Sequence, residues 1–320
     1  MPPRLQAAPG QAEVAEADTP LPVMTSASTA LATHPNRLKG IVLMSAAGTL
    51  FSIGGILVRE MTLDSGAIVF WRSAFMIVVL VAVLGAQHGR RWMTQIIAMG
   101  WTGVASGFFL GVTFYSYIFA LGFTTVANTL VMMSTCPFLA ALIARVFLGE
   151  PVALKTVAAM VLATIGVTVM VWSSLDAGHG IIGEIIAFGV PLAMAINLTF
   201  MRRAAGRIDM VPAVLLAGVF TLLGGIPLAF PFAISWADLF FVGVMGVFQL
   251  AVPLIFLTLA TRHLRAAEIA LLGLLEMILA PIWVWLALGE RPSDLGLLGG
   301  GLVLAALIYN ATASIGRAEA

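Results

Sequence analysis

The sequence predicts an all-α integral membrane protein of ten transmembrane helices, arranged as two inverted five-helix repeats. Three observations predict it: the apolar excess of the composition, the placement of positive charge between segments, and short signatures that recur in both halves. Of 320 residues, 61% are hydrophobic and 10% are charged, against roughly 25% charged in an ordinary soluble domain. A water-soluble core cannot absorb that much apolar surface. Spanning helices can, because about 20 apolar residues cross the hydrocarbon layer with every backbone hydrogen bond made internally. The formal net charge of +1 implies no bulk attraction to nucleic acid, so meaning in the charges lies in their positions.

Residues 1–36 are rich in Ala, Pro, Thr and Ser, carry Glu13, Glu16 and Asp18, and contain no uninterrupted apolar core of the kind a signal peptide needs. They read as a disordered cytoplasmic tail. Apolar segments follow near 40–58, 66–86, 96–119, 126–147, 153–173, 182–201, 211–232, 238–260, 267–288 and 294–310, each about the length of a span. Only Gly122-Phe123-Thr124-Thr125 separates the third from the fourth, so length alone leaves nine or eleven spans open. Charge sets the parity. With the N-terminus in the cytoplasm, Arg37, Lys39, Arg90, Arg91, Lys155, Arg202, Arg203, Arg207, Arg262, Arg265 and Arg317 fall at the inner face, and only Arg59, Arg72 and Arg291 outside. The positive-inside rule then selects both termini inside and an even number of spans, in the cytoplasmic (inner) membrane. Trp71, Trp172, Trp236, Trp283 and Trp285 are expected at the outer interface and Trp92 and Trp101 at the inner one. Packing within the bundle is the other reading of these rings.

Leu148-Gly149-Glu150 follows the fourth segment and Leu288-Gly289-Glu290 the ninth, 140 residues later. Gly40 and Arg59 bracket the first segment at the same separation as Gly183 and Arg202 bracket the sixth. Two five-helix units result, 37–175 and 180–312. Because five is odd, the second unit enters the membrane from the opposite side, as in the inverted repeats of many secondary transporters. Each half can then adopt the conformation of the other, so inward-open and outward-open states have comparable energies. The alternative is a duplication without mechanistic role.

Several of these pieces stand in a characteristic order. Phe70-Trp71-Arg72 opens the second segment, Ala120-Leu121-Gly122-Phe123-Thr124-Thr125-Val126-Ala127 joins the third to the fourth, and Pro137 precedes Leu-Gly-Glu. Ala266-Ala267-Glu268, Leu274-Leu275-Glu276, Pro281 and Leu-Gly-Glu answer them in the second half. Over about residues 38–310 the chain resembles the EamA family of the drug/metabolite transporter superfamily. The resemblance implies ten helices around a central cavity, alternating access, and substrates among amino acids, nucleosides, nucleotide-linked metabolites or drugs; the leading expectation is export of a small polar metabolite, an amino acid or related compound. A nucleoside- or S-adenosylmethionine-like solute is the alternative cargo.

Glu276 is the sharpest candidate for chemistry, since it sits near the middle of the ninth segment between Leu275, Ile278 and Leu279. An ionised carboxylate there costs several kcal/mol, so it should face a polar cavity, pair, or hold a proton for coupling. The other reading is a carboxyl that joins two helices. Arg72 lies about two turns into the second segment, placed either to meet an anionic group or to snorkel outward, whereas Arg145 reads as an anchor. Asn197 and Gln249 are mid-span polar groups without a capping role, suited to substrate or to helix–helix contact; Asn128, Asn310, Tyr115 and Tyr117 are weaker candidates of the same kind. Pro137 and Pro281 each delete a backbone donor and mark a hinge or a cavity wall, or a static kink. Pro191, Pro227 and Pro253 add breaks elsewhere. The Leu-Gly-Glu pairs read as helix caps with left-handed glycines, Pro151 or Pro292 starting the next helix. Gly103, Gly107, Gly111, Gly296 and Gly300 read as close-packing positions.

No G-x-x-x-x-G-K-[ST] loop is present, so energy should come from a gradient, with protons as a coupling ion. The single Cys136 and four histidines, at 34, 88, 179 and 263, offer no metal-ligand spacing, and no cofactor is expected. The expected partners are a small-molecule substrate and the bilayer, for a monomer or homodimer. An intramembrane enzyme would need a second carboxylate or a nucleophile–base pair converging with Glu276; it is the minor alternative.

Overall fold

The computed structural model describes residues 37–89, 92–149, 152, 154–176, 181–203, 210–260, 263–264, 266–289 and 293–318. The tail, and with it Glu150, Pro151, Glu290, Arg291 and Pro292 of the cap signatures, lies outside the described residues. So do Arg90, Arg91, His179, Arg207, Arg262 and Arg265. Among the described residues, regular structure is entirely helical: α1 (Arg37–Ser52), α2 (Gly54–Glu60), α3 (Ser65–His88), α4 (Trp92–Ala98), α5 (Gly100–Phe123), α6 (Val126–Ser134), α7 (Cys136–Leu148), α8 (Leu154–Asp176), α9 (Ile181–Arg203), α10 (Met210–Ala229), α11 (Trp236–Val244), a π-helical segment (Met245–Ala251), α12 (Val252–Ala260), α13 (Ala266–Leu288) and α14 (Asp294–Ala318). Eight helical stretches are long and apolar enough to cross a membrane, and Leu272–Leu288 and Asp294–Asn310 are shorter apolar stretches.

Several predicted segments are broken where the sequence suggested continuity. The first divides at Ile53, ahead of a Gly-Gly pair that weakens a helix by about 1 kcal/mol per glycine relative to alanine. The pair lets neighbours in: a Cβ on Gly55 would lie 2.5 Å from Val126 Cγ1. The third, expected over 96–119, begins instead at Gly100, whose φ of 57° falls in the left-handed region that glycine enters without a Cβ penalty and separates α4 from α5. In the fourth, Pro137 produces a full break into α6 and α7. The Ser134 and Thr135 hydroxyls donate to the Val131 and Met132 carbonyls at 2.6 and 2.7 Å, and the Met132 carbonyl also accepts from the Thr135 backbone N–H at 3.0 Å. Pro281 by contrast sits inside the continuous α13, so the two prolines do not act alike. The eighth expands into a π turn just before the buried Pro253.

Other expectations hold. Thr124-Thr125 does separate α5 from α6, and the Thr125 side chain accepts from the Asn128 backbone N–H as an N-cap. Gly149 and Gly289 both cap their helices at φ 70°. Leu-Gly is therefore a helix terminator in both halves.

Helix pairing is tightest between α5 and α9, α8 and α14, and α3 and α10, while α1 packs on α12 and α13. Gly107 and Gly111 serve the packing expected of them, with added Cβ atoms 3.2 and 3.3 Å from the Ala213 and Ala217 carbonyls of α10. In α14 the closest backbone approach is at Gly299, while Gly300 serves the packing expected of it, an added Cβ lying 3.2 Å from Val131 Cγ2. A Cβ on Gly299 would lie 2.5 Å from the Gly166 carbonyl, and one on Gly166 would lie 2.6 Å from the Gly299 carbonyl. The tryptophans divide as well. Trp101, Trp172, Trp236 and Trp285 are exposed, but Trp71 packs edge-on to Phe70, and the Trp283 Nε1–H donates to Ser52 Oγ at 3.0 Å. Trp71 and Trp283 are half-buried and take the packing alternative.

Gly166→Val forces backbone against backbone at the α8–α14 crossing, where overpacking costs about 1–3 kcal/mol. We expect a Tm in detergent several degrees below wild type, with Gly301→Val, whose added carbon meets nothing within 4 Å, close to wild type.

Candidate functional site

Glu276 projects from α13, with its backbone against Gly48 of α1, where an added Cβ would come 3.7 Å from the Glu276 nitrogen. The carboxyl lies deep in the protein yet retains accessible surface. No hydrogen bond joins it to a described residue.

The α1–α2 break organises the polar groups nearby. One turn beyond Gly48, Ser52 accepts from Trp283 and donates to the Thr49 carbonyl at 2.6 Å. Gln249 Nε2 donates to the Phe51 carbonyl at 3.4 Å, a carbonyl the break removes from the helical ladder. A Cβ on Gly54 would lie 2.8 Å from Gln249 Nε2 and 2.9 Å from the Tyr117 hydroxyl, so both groups converge there in space that only glycine leaves open. Gln249 is 3% exposed, and its Oε1 has no partner. The π segment is what presents it: a wide turn rotates the side chains beyond it relative to an unbroken helix.

Arg72 does not snorkel. It is 1% exposed, its Nη2 donates to the Phe114 carbonyl at 3.2 Å, and the guanidinium carbon stands 5.6 Å from the Phe114 ring centroid. No carboxylate among the described residues pairs with it, and its Nε is buried without a partner. Asn197 is not in this group. Its Oδ1 accepts from Ser106 Oγ at 2.6 Å across the α5–α9 contact, which makes it helix–helix glue. Pro137 lies at the α6–α7 break, and Pro281 lies more than a turn beyond Glu276 in α13.

Two further buried carboxylates were absent from the sequence reading. Glu184, at the start of α9, accepts from Thr124 Oγ1 at 2.8 Å and from Asn128 Nδ2 at 2.9 Å, while Arg59 Nη2 donates to the Thr124 carbonyl at 3.1 Å. Asp238, at the start of α11, accepts from the Thr62 backbone N–H at 3.0 Å, Thr62 Oγ1 at 2.8 Å and Ser235 Oγ at 2.7 Å. Each lies at a segment end, where an acidic residue ordinarily reads as interfacial. Their only sequence signal was Thr124-Thr125 and Ser235 nearby. Among the described residues no cluster of His, Cys, Asp or Glu suits a metal ion.

The EamA-like transporter family model matches residues 38–172 and again 181–312. The chain belongs to that family. It is a multi-pass membrane protein of a transporter family, as the expected resemblance held. The pseudopaline exporter CntI of Pseudomonas aeruginosa is 25% identical over 286 residues, covering 84% of this chain and 94% of the relative. The riboflavin transporter of Rhizobium johnstonii is 24% identical over 298 residues, covering 88% and 94%. A solved crystal structure at 16% identity aligns with TM-score 0.61 over 89% of this chain and 100% of its own, a likeness of fold.

Ser106→Ala removes one of these interhelical bonds and should cost about 1 kcal/mol of unfolding free energy, the usual scale for such bonds in membranes. Titration with SDS from mild micelles measures it; a loss of several kcal/mol would mean Asn197 does more than join α5 to α9.

Proposed function

We propose that this family member is a secondary transporter that moves a small polar metabolite, an amino acid or related compound, out across the cytoplasmic membrane by alternating access. Glu276 carries the reading. A carboxylate in the middle of an apolar helix costs about 3 kcal/mol or more when ionised, and this one is neither paired nor sealed away. Accessible surface beside an uncompensated carboxyl suits a group that exchanges a proton or a ligand with water. It does not suit a structural bond. Two successive matches to one family model support the division into five-helix halves at 37–175 and 180–312, and the odd number supports their inversion.

With both termini inside, the contacts of Glu184 and Asp238 fall on the outer side. They would then tie α9 to the α5–α6 junction and α11 to the α2–α3 junction, closing that side while Glu276 is reached from within. Breaks in α1–α2 and α6–α7 supply hinges beside the cavity, with Gln249 and Tyr117 as further wall groups. Protons are the coupling ion in this account, held by Glu276 itself. A heterocyclic solute is the second reading, favoured by the likeness to a riboflavin transporter and by Trp283 in the wall.

Purified protein in proteoliposomes should show counterflow of at least one solute from an amino-acid, nucleoside and flavin panel, accelerated by a pH gradient. Glu276→Gln should abolish the pH-driven component while the protein stays monodisperse. Unchanged pH dependence in that variant removes Glu276 from coupling, and failure to move any solute, with product formed from a lipid or peptide, would replace the carrier by an enzyme.

A further inference from the structure

One contact between the start of a helix and a helix junction is made twice in this protein, and its two copies differ. Gly183, in the first turn of α9, meets the α5–α6 junction: an added Cβ would lie 2.6 Å from the Phe123 carbonyl oxygen and 3.0 Å from Thr124 Cβ. Gly40, in the first turn of α1, meets the α12–α13 junction: an added Cβ would lie 2.7 Å from Leu264 Cγ and 2.8 Å from His263 Cβ. Phe123-Thr124 precedes His263-Leu264 by the same 140 residues that separate the two Leu-Gly-Glu signatures. Gly40 and Gly183 are also the glycines matched by their equal spacing to Arg59 and Arg202. A second glycine pair follows the same correspondence. An added Cβ on Gly107 would face the Ala213 carbonyl oxygen, Leu216 Cβ and Ala217 nitrogen of α10, and one on Gly246 would face the Arg72 carbonyl oxygen, Phe75 Cβ and Met76 nitrogen of α3. The atoms and their helical register are the same in both.

On the carrier reading, with its inverted halves, equivalent contacts fall on opposite sides of the membrane. With both termini inside, Gly183 lies at the outer side and Gly40 at the inner. Each half takes up the conformation of the other as such a protein turns over, so a difference between equivalent contacts marks the state it is in. The outer contact is drawn up to backbone against backbone. It is also bolted, since Glu184, 3% exposed, accepts from Thr124 Oγ1 and Asn128 Nδ2 while Arg59 donates to the Thr124 carbonyl. At the inner contact the nearest atoms to Gly40 belong to side chains, and the cluster around it is apolar: Met44, Ala260 and Leu264 packed with Ile41 and Leu257. Opening the outer contact strands a carboxyl and its donors until water reaches them, whereas opening the inner one exposes apolar surface alone.

We propose that the Gly183 and Gly40 contacts are the two closing points of the transport cycle, drawn tight one at a time, and that Glu184 biases the protein toward the state closed outside. Glycine is required at both because only a residue without Cβ lets a helix start reach the opposite junction. An interaction made in one of two states multiplies the population of that state and leaves the other unchanged. Removing the Glu184 bonds therefore opens the outer side and tightens the inner one.

Spin labels test this in full-length protein carrying Cys136→Ala, reconstituted in nanodiscs. One pair, at Ile182→Cys and Phe123→Cys, reports the outer contact, and another, at Leu38→Cys and His263→Cys, reports the inner; dipolar broadening detects a shut contact and pulsed distances an open one. The outer pair should be strongly coupled without further substitution. Glu184→Ala should raise its uncoupled fraction several-fold and raise the coupled fraction of the inner pair, and Thr124→Val, which adds no bulk, should do the same to a smaller extent. Glu184→Gln, which keeps an acceptor oxygen for both donors, should stay close to the parent. Gly183→Ala should open the outer pair and Gly40→Ala the inner. Variants that lower the Tm without changing either pair would make the contacts static packing and overturn the proposal, as would outer and inner pairs that loosen together. Counterflow of any solute by the unlabelled protein leaves the carrier reading standing in both cases.

Discussion

A single carboxyl group placed halfway along an apolar helix constrains everything around it. Hydrocarbon cannot solvate it, and the protein provides neither a cation nor a donor at bonding distance from it among the described residues. What the fold does provide is polar backbone close by. The first segment runs past Glu276 as a broken rod, Gly48 letting α13 approach, Ser52 holding Trp283 and Phe51 holding Gln249. Irregular backbone at membrane depth survives only where protein buries it or where it lines a wet space. The breaks and the carboxyl therefore belong to one arrangement.

The same reasoning separates the three buried acids. Glu184 and Asp238 each collect hydrogen bonds from threonine, serine or asparagine at a helix start, where helix N-terminal donors and the dipole also favour negative charge. Such groups have their partners and fasten one element to another. Glu276 has no such company among the described residues, and the proposed exchange role rests on that difference. Arg72 belongs with the structural group: enclosed against Phe114, it holds α3 to α5.

Much of the architecture was legible because apolar runs and glycine caps are local. The helix ends at Gly149 and Gly289 and the junction at Thr124-Thr125 follow from what those residues do to their own backbone. Glu276 was legible for the same reason, its oddity being visible against its immediate neighbours. What escaped was decided by contacts between distant segments. Trp283 reads as an interfacial tryptophan until Ser52, far earlier in the chain, is found beneath it. Asn197 resembles a site residue until Ser106 takes up its amide, and the Gly166–Gly299 crossing needs both helices in view. The break at Ile53 and the π turn ahead of Pro253 are subtler, since each relaxes a helix so that a particular neighbour fits. No periodicity in the sequence marks them.

The central claim is that position 276 faces water from inside the bundle and changes side as the protein works. Thiol accessibility measures this directly: replace Cys136 with Ala, introduce Glu276→Cys, and expose oriented vesicles to a membrane-impermeant cationic thiosulfonate from each side in turn. The account predicts modification from both faces, the ratio shifting when a transported solute is present on one side. A cysteine at 276 that reacts from neither face, in protein that folds and labels at exposed control positions, would contradict it.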